Sequence, residues 1–335
     1  MTKEVTILAG DIGASKTILA VYSDRSGFSS PLKERSYLSA EYSGLVPMLE
    51  DFLGDLNLPI SSAAFGVAGP VIDQKAQITK LPWSVETAEI KKHVDIPNVF
   101  LMNDLVANVY GLDCLESADL VPLNVSAIPL KAPRVMISPG TGLGEAFFVE
   151  SGKTKEVFDS EGGHCHFAPV GEEQLGLLKF YQSTQQTITV DTFCCGAGFV
   201  NIYNYLKQCS SQLVDPAVQE ALLSAKHPAA IITENAMLAD LNRRCPLCVH
   251  TVEIFVEILA NEAANMVLKM LARGGVFIGG GIPPKILPYL QKNFISAFAR
   301  HQSMGHILSE VPVFVACNSR AALYGAALFA MEEAS

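Results

Sequence analysis

Two aspartates stand where the chain can present a carboxylate to a ligand. Gly10-Asp11-Ile12-Gly13 puts Asp11 in a glycine-flanked turn, where backbone N–H groups can approach a phosphate and the carboxylate can hold Mg²⁺. Phe100-Leu101-Met102-Asn103-Asp104 sets Asn103 and Asp104 at the C-terminal end of an apolar strand, the end at which open α/β sheets take their ligands. Asp104 fits a general base, and either residue would equally cap the helix expected over Leu105 to Tyr110. Pro139-Gly140-Thr141-Gly142-Leu143-Gly144 is a second phosphate cradle, with the Thr141 hydroxyl as a further donor. It is not a dinucleotide fingerprint, because its spacing is Gly-x-Gly-x-Gly and the residues after Gly144 continue as a strand instead of opening a helix. Glu161-Gly162-Gly163-His164-Cys165-His166 joins a carboxylate to an imidazole on a glycine-flexed segment suited to the vicinal hydroxyls of a sugar. Zinc on His164, Cys165 and His166 is the competing reading, and it lacks a flanking Cys-x-x-Cys. Cys245-Pro246-Leu247-Cys248, with His250 beyond it, reads as the buried start of a long helix ahead of a metal or redox motif, Pro246 suiting the first turn.

Short strands must carry these groups. Val5 to Ala9 and Thr17 to Tyr22 flank the first turn as strands, and Arg134 to Ser138 and Glu145 to Val149 repeat that layout around the second glycine loop, as a duplicated α/β unit would. Between them lie a helix near Leu45 to Leu56, a strand from Ala63 to Val67, a helix opened by Ser84 as N-cap, and a strand from Val99 to Met102. Beyond Gly171 helical spacing dominates Glu172 to Tyr181, Phe199 to Gln208, Ala229 to Asn242 and Leu247 to Leu271, the last stopped by Gly274-Gly275. Strands Val276 to Ile278 and Val311 to Ala316 follow, the first running into the rigid turn Gly279-Gly280-Gly281-Ile282-Pro283-Pro284. An Ala- and Leu-rich helix over Arg320 to Met331 closes the chain.

The 335 residues are enough for two domains. The expected division is a small α/β domain over 1–110, with the C-terminal helix 318–335 packing back on it, and a helix-rich α/β domain over 111–317. With 49% hydrophobic and 17% charged residues, intrinsic disorder is excluded. Lys plus Arg count 24 and Asp plus Glu 34, so the net charge of 24 − 34 = −10 has the wrong sign for holding nucleic acid or an anionic membrane. No uncharged apolar stretch of about 18 residues is present, and the start Met1-Thr2-Lys3-Glu4 has no signal character, so a cytoplasmic location is expected. Eight irregularly spaced cysteines read as free thiols rather than a disulfide framework.

Gly10-Asp11-Ile12-Gly13, Asn103-Asp104, Gly140 to Gly144, Glu161-Gly162-Gly163-His164 and Gly279 to Ile282 together resemble the bacterial glucokinase family in order and spacing. Gly69-Pro70-Val71, Thr79 with Trp83, Phe167-Ala168-Pro169 and Gly196 to Tyr203 extend the resemblance over nearly the whole chain. It implies an actin-like ATPase fold of the ribonuclease-H type, two domains around a cleft, and ATP:D-glucose 6-phosphotransferase activity with Mg²⁺. By the same matching Asp104 is the catalytic base, and Asn103, Asp104, Glu161, His164 and Asp191 bind glucose. Gly10, Asp11, Ile12, Gly13, Ala14, Ser15, Gly140, Thr141, Gly142, Gly280 and Gly281 fall on the ATP site, Asp11 meets Mg²⁺ through ATP, and a homodimer is implied. The chain departs from the family pattern at Ala14-Ser15-Lys16, usually Gly-Thr-Asn or Gly-Thr-Lys, at Lys80, usually asparagine, and at Asp191, usually glutamate. Alanine at position 14 would be strained by roughly 1 kcal/mol if the turn needs a positive φ there. Asp191 and Lys80 leave open a kinase for another hexose or an amino sugar, and the altered first turn leaves open a non-catalytic sugar sensor.

Overall fold

Strand β1 (Thr6–Ile12) is the axis of the first of two large sheets, paired on both edges and buried at nearly every position because a core packs on each face. The computed structural model describes residues 5–54, 56, 58–124, 130–151, 154–184, 186–209 and 214–334, so the Met1-Thr2-Lys3-Glu4 start lies outside the described residues. Following β1 come β2 (Lys16–Ser23), β3 (Lys33–Leu38), helix α1 (Leu45–Leu53), β4 (Ser62–Val67), and the small strands β5 (Val71–Ile72), β6 (Lys75–Gln77) and β7 (Ser84–Glu86). Helix α2 (Thr87–His93), β8 (Asn98–Asn103) and α3 (Asp104–Gly111) follow, and the main sheet has the order β3-β2-β1-β4-β8. Alternate residues of this sheet supply two cores: Leu8, Ile12, Leu19 and Phe65 face Met48, Leu49 and Phe52 of α1, while Ile7, Ala9, Ala20 and Ala64 pack with the C-terminal helix.

The remaining elements begin with β9 (Leu120–Pro122), β10 (Arg134–Pro139), β11 (Leu143–Ser151) and β12 (Thr154–Ser160). Helices α4 (Gly171–Gln182), α5 (Gly196–Cys209), α6 (Pro216–Ser224), α7 (Pro228–Ala236) and α8 (Pro246–Met270) follow. Then come β13 (Gly275–Ile278), the single turns α9 (Leu287–Tyr289), α10 (Ile295–Phe298) and α11 (Gly305–Leu308), β14 (Val313–Ala316) and α12 (Ala321–Glu333). The second sheet runs β12-β11-β10-β13-β14-β9. Its first five positions repeat the first sheet: a three-stranded antiparallel meander whose first strand pairs in parallel with a fourth, and the fourth with a fifth. The described residues divide into two compact units, one running to Ala118 and resuming at Asn318, the other from Asp119 to Cys317.

Small residues decide how α12 seats. A Cβ at Gly111 would collide with the carbonyl of Ala321, and one at Gly325 with the carbonyl of Ala107, so α3 and α12 cross backbone to backbone. In the second unit α8, 25 residues long, is buried along most of its length and forms the spine of the core. Pro246 sits in its first turn behind Cys245, as expected, and the neighbouring Cys248 thiol holds the Cys245 thiol's pKa below its ordinary value while that of Cys248 is raised.

Several boundaries differ from the sequence expectation. Gly10, Asp11 and Ile12 are not turn residues: Asp11 pairs with Ile18 on one side and Gly66 on the other, so ladder bonds hold β1 through Ile12 and the turn shrinks to Gly13-Ala14-Ser15. Ser84 opens no helix; it starts β7, because burying Val85 favours pairing with β6, and α2 begins three residues later. Leu271, in the left-handed conformation at φ 48°, ends α8 before Gly274-Gly275 is reached. Helix α7 stops at Ala236, short of Asn242, and α6, opened by Asp215 as N-cap with Pro216 behind it, was not anticipated.

Candidate active site

In the first unit Asp11 lies near the end of β1 and Asp104 opens α3 directly after β8, with β4 between them. The intervening residue of β4 is Gly66, where a Cβ would stand 2.9 Å from Ala107 Cβ, so only glycine lets α3 settle this close over the strand ends. Burial raises Asp11 to about 7, with the Asp104 charge adding to the rise and Lys16 opposing it. Burial raises Asp104 to about 6, and the Leu105 N–H and its own N–H hold it from going higher. Above pH 6 Asp104 is therefore an anion in a low-dielectric corner, poised to take up a proton.

Asn103 caps α3, its Oδ1 accepting from Leu105 N at 2.8 Å, and its Nδ2 donates to the Gly69 carbonyl at 3.0 Å. One lone pair and one N–H remain to the side chain for a ligand. Gly69 itself, at φ 150°, would carry a Cβ only 2.6 Å from the Gln77 carbonyl. Lys80 occupies the left-handed region at φ 67°, a conformation that asparagine adopts more readily than lysine. The turn after β1 is tied by Gly13 N to Lys16 O at 3.0 Å and by Ser39 Oγ to Gly13 O at 2.7 Å. Ala14 is absent from the positive-φ residues, so the conditional strain there does not arise. Gly10 is packed by Phe65, whose ring would be 2.6 Å from a Cβ, and the Ile12 side chain lies in the core, while both residues are paired with strands on either side.

In the second unit Gly140-Thr141-Gly142 closes the β10–β11 hairpin, with Gly140 N donating to Gly142 O at 2.8 Å. Three other segments hold this loop. Asp191 Oδ1 accepts from Leu143 N at 2.6 Å, and Gly196 N donates to Gly140 O at 2.8 Å. Gly280, at φ 86°, lies against the Pro139 carbonyl, 2.6 Å from where a Cβ would be, while a Cβ on Gly281 would meet nothing within 4 Å. Parallel pairing of β10 with β13 brings the two glycine loops together at adjacent strand ends.

Glu161 precedes a 3-10 turn that ends on His164, both largely exposed, with His164 Nε2 3.8 Å from Glu161 Oε2. Their segment is anchored from behind, since Asp191 N donates to Gly163 O at 2.8 Å and Val190 N to Cys165 O at 3.0 Å. Asp191 thus ties the glycine loop, through its carboxylate, to the Glu161–His164 segment, through its backbone. The first unit gathers Asp11, Asn103 and Asp104; the second gathers Gly140, Thr141, Gly142, Glu161, His164, Asp191, Gly280 and Gly281. Sequence reasoning missed Glu145, a fully buried acid beneath Gly162; its signal is a glutamate between a glycine loop and the apolar run Ala146-Phe147-Phe148.

A family model described as Glucokinase matches residues 8–333. A glucokinase of Nostoc punctiforme is 38% identical over 340 residues, covering 97% of this chain and 98% of that protein. A glucokinase of Synechocystis sp. is 32% identical over 358 residues, 98% of each. Among solved structures, a glucokinase from an Antarctic psychrotroph superposes with a TM-score of 0.79 at 23% identity, over 98% of this chain and 99% of that one. Glucokinase from Balamuthia mandrillaris, solved in complex with glucose, gives 0.77 at 20% identity over 98% and 94%. A ROK family glucokinase from Streptomyces griseus, solved in complex with glucose and AMPPNP, gives 0.65 at 16% identity over 98% and 99%. These likenesses show the fold, the mixed α/β, two-sheet architecture of actin-like ATPases. From the family match and the full-length relatives, the chain belongs to the glucokinase family.

Proposed function

We propose that Asp104 is the general base of glucose 6-phosphorylation in this chain. As the 6-hydroxyl oxygen attacks the γ-phosphorus of ATP, the O6–P bond forms, the bond from phosphorus to the bridging oxygen breaks, ADP leaves, and the hydroxyl proton passes to Asp104. The observation that carries this reading is a half-buried carboxylate at the C-terminal end of β8, raised to about 6 yet ionised at neutral pH. A sugar hydroxyl is a poor nucleophile, so a positioned base and in-line geometry are what the protein must add. Asn103, Glu161, His164 and Asp191 hold the sugar hydroxyls, a reading supported by the exposed Glu161 and His164 side chains on anchored backbone and by the hydrogen-bonding capacity left over on half-buried Asn103 and Asp191. Gly13 to Ser15 and Gly140 to Gly142 hold phosphates, and Gly280-Gly281, open on one side, takes the adenosine. The glucose named with the Balamuthia structure and the glucose and AMPPNP named with the Streptomyces structure support both ligands.

Mg²⁺ fits beside Asp11. That carboxyl is held partly protonated by burial and by Asp104, so a divalent cation would relieve both effects. When bound, Mg²⁺ neutralises charge on the transferred phosphoryl group. No helix among the described residues is long and apolar enough to cross a membrane. Family membership supports a cytoplasmic location; a homodimer is what the resemblance implies, and sedimentation velocity tests it as one species of twice the chain mass.

The test is a coupled assay with ATP and Mg²⁺ over glucose, mannose, fructose, galactose and glucosamine. Glucose is expected to have the highest kcat/KM; a clear preference for another sugar would overturn the assignment of these hydroxyl ligands to glucose.

A further inference from the structure

Glu145 is the one acid of β11 turned into the core, 2% exposed, and its Oε1 has no hydrogen-bond partner. Gly162 rests directly on its carboxylate: a Cβ there would collide with Glu145 Oε2. The Ser160 hydroxyl stitches the two together, donating to the Glu145 carbonyl at 3.2 Å and accepting from Gly162 N at 3.2 Å. Gly163 packs in the same way on the carbonyl of Leu143. From the other side α8 brings Glu262, 6% exposed, whose Oε1 also lacks a hydrogen-bond partner and whose Oε2 accepts from Asn265 at 3.1 Å. Lys269 Nζ stands 3.7 Å from Glu262 Oε1. The segment ahead of α5 adds the Cys194 thiol, kept neutral by burial, with Asp191 as the next charge. Burial raises Glu262 as well, with Asn265 and Lys269 opposing, and the Lys269 ammonium is engaged by Glu262 rather than by Glu145.

We propose that Glu145 is a positioning residue for the sugar-holding segment: kept as the neutral acid beside Glu262, it is the floor under Gly162, and its ionisation displaces Glu161 and His164 and weakens glucose binding. A second anion without a counter-charge is not tolerated in this environment, so the group holds its proton instead. Burial first, and the Glu262 charge second, raise Glu145 to about 8, with Lys269 opposing. Rising pH then places a charge under Gly162, where hydration is reached only by pushing that glycine aside. The inference rests on Glu161 and His164 being sugar ligands.

The nearly isosteric Glu145→Gln removes the ionisation and leaves the polar floor. Wild-type KM for glucose is expected to rise about tenfold from pH 7 to pH 9, as one ionisation near 8 depletes the competent form, with kcat changing less. In Glu145→Gln the KM should stay flat over that range, and a rise equal to wild type overturns the proposal. Infrared spectra of the free protein at pH 7 should show a protonated-carboxyl stretch that Glu145→Gln lacks; identical spectra overturn it as well. Should the variant not fold, calorimetry of glucose binding to wild type at pH 8, in buffers of different ionisation enthalpy, should show net proton uptake, and none would contradict the proposal. Glu161→Gln separates the two readings: an unchanged glucose KM there refutes the sugar-ligand assignment, whereas the infrared band tests Glu145 alone.

Discussion

At the scale of single residues, four carboxyls among the described residues, Asp11, Asp104, Glu145 and Glu262, are raised by burial, and their proton affinities have a thermodynamic consequence. Asp104, shifted from 3.8 to about 6, binds its proton more tightly in the folded than in the unfolded chain, so its ionisation costs stability as pH rises through that window. Asp104→Asn removes the cost. The variant should be more stable than wild type at pH 7.5 by about 1–2 kcal/mol after allowance for solvent screening, with the gap closing below pH 4; equal urea midpoints at both pH values would refute this. Asp191 permits a second test, since its Oδ1 is the acceptor for Leu143 N. Asp191→Ala leaves that N–H unpaired and the glycine loop unanchored, and KM for ATP should rise about tenfold, with Asp191→Asn near wild type. An unchanged KM for ATP in the alanine variant would show that the loop does not need the anchor. Asn103 and Asp104 were legible from sequence because a polar pair ends an apolar run. Glu145 was passed over although it precedes the apolar run Ala146-Phe147-Phe148, because a glutamate in a strand reads as solvent-facing until the elements packed against both faces are known.

Among the elements, the crossing of α3 and α12 is the tightest joint in the first unit, made possible by Gly111 and Gly325. Gly325→Ala drives a methyl into the Ala107 carbonyl and should cost about 2–4 kcal/mol in urea unfolding. Gly281→Ala, with open space around the new Cβ, should stay within about 0.5 kcal/mol; similar losses at both sites would contradict the packing argument. Most strands and long helices could be read from the order of apolar runs, and their limits could not. Gly10-Asp11 has turn chemistry, yet pairing on both edges outweighs it, and Ser84 has cap chemistry, yet Val85 is buried in a small sheet. Leu271 ends α8 in a conformation that local propensity assigns to glycine, with its N–H bonded to Val267 O.

Over the whole molecule, the repeated strand order explains why chemistry-bearing residues from distant parts of the sequence recur at equivalent strand ends. The strand–turn–strand layout was visible twice in the sequence, but the parallel partners β4 and β13 are non-local and became clear only from the sheet registers. The net charge of −10 leaves phosphate recognition to local backbone and glycine loops, so glucose phosphorylation at fixed Mg²⁺ should change little with added monovalent salt. A steep fall in kcat/KM between low and physiological salt would indicate long-range steering instead. The most direct test of the whole account compares wild type with Asp104→Asn in glucose phosphorylation across pH 5–9. The prediction is a wild-type kcat that falls below pH 6, and a variant whose kcat is lower by about 10²–10⁴ while its glucose affinity stays within about threefold. A variant that turns over glucose at the wild-type rate would contradict it.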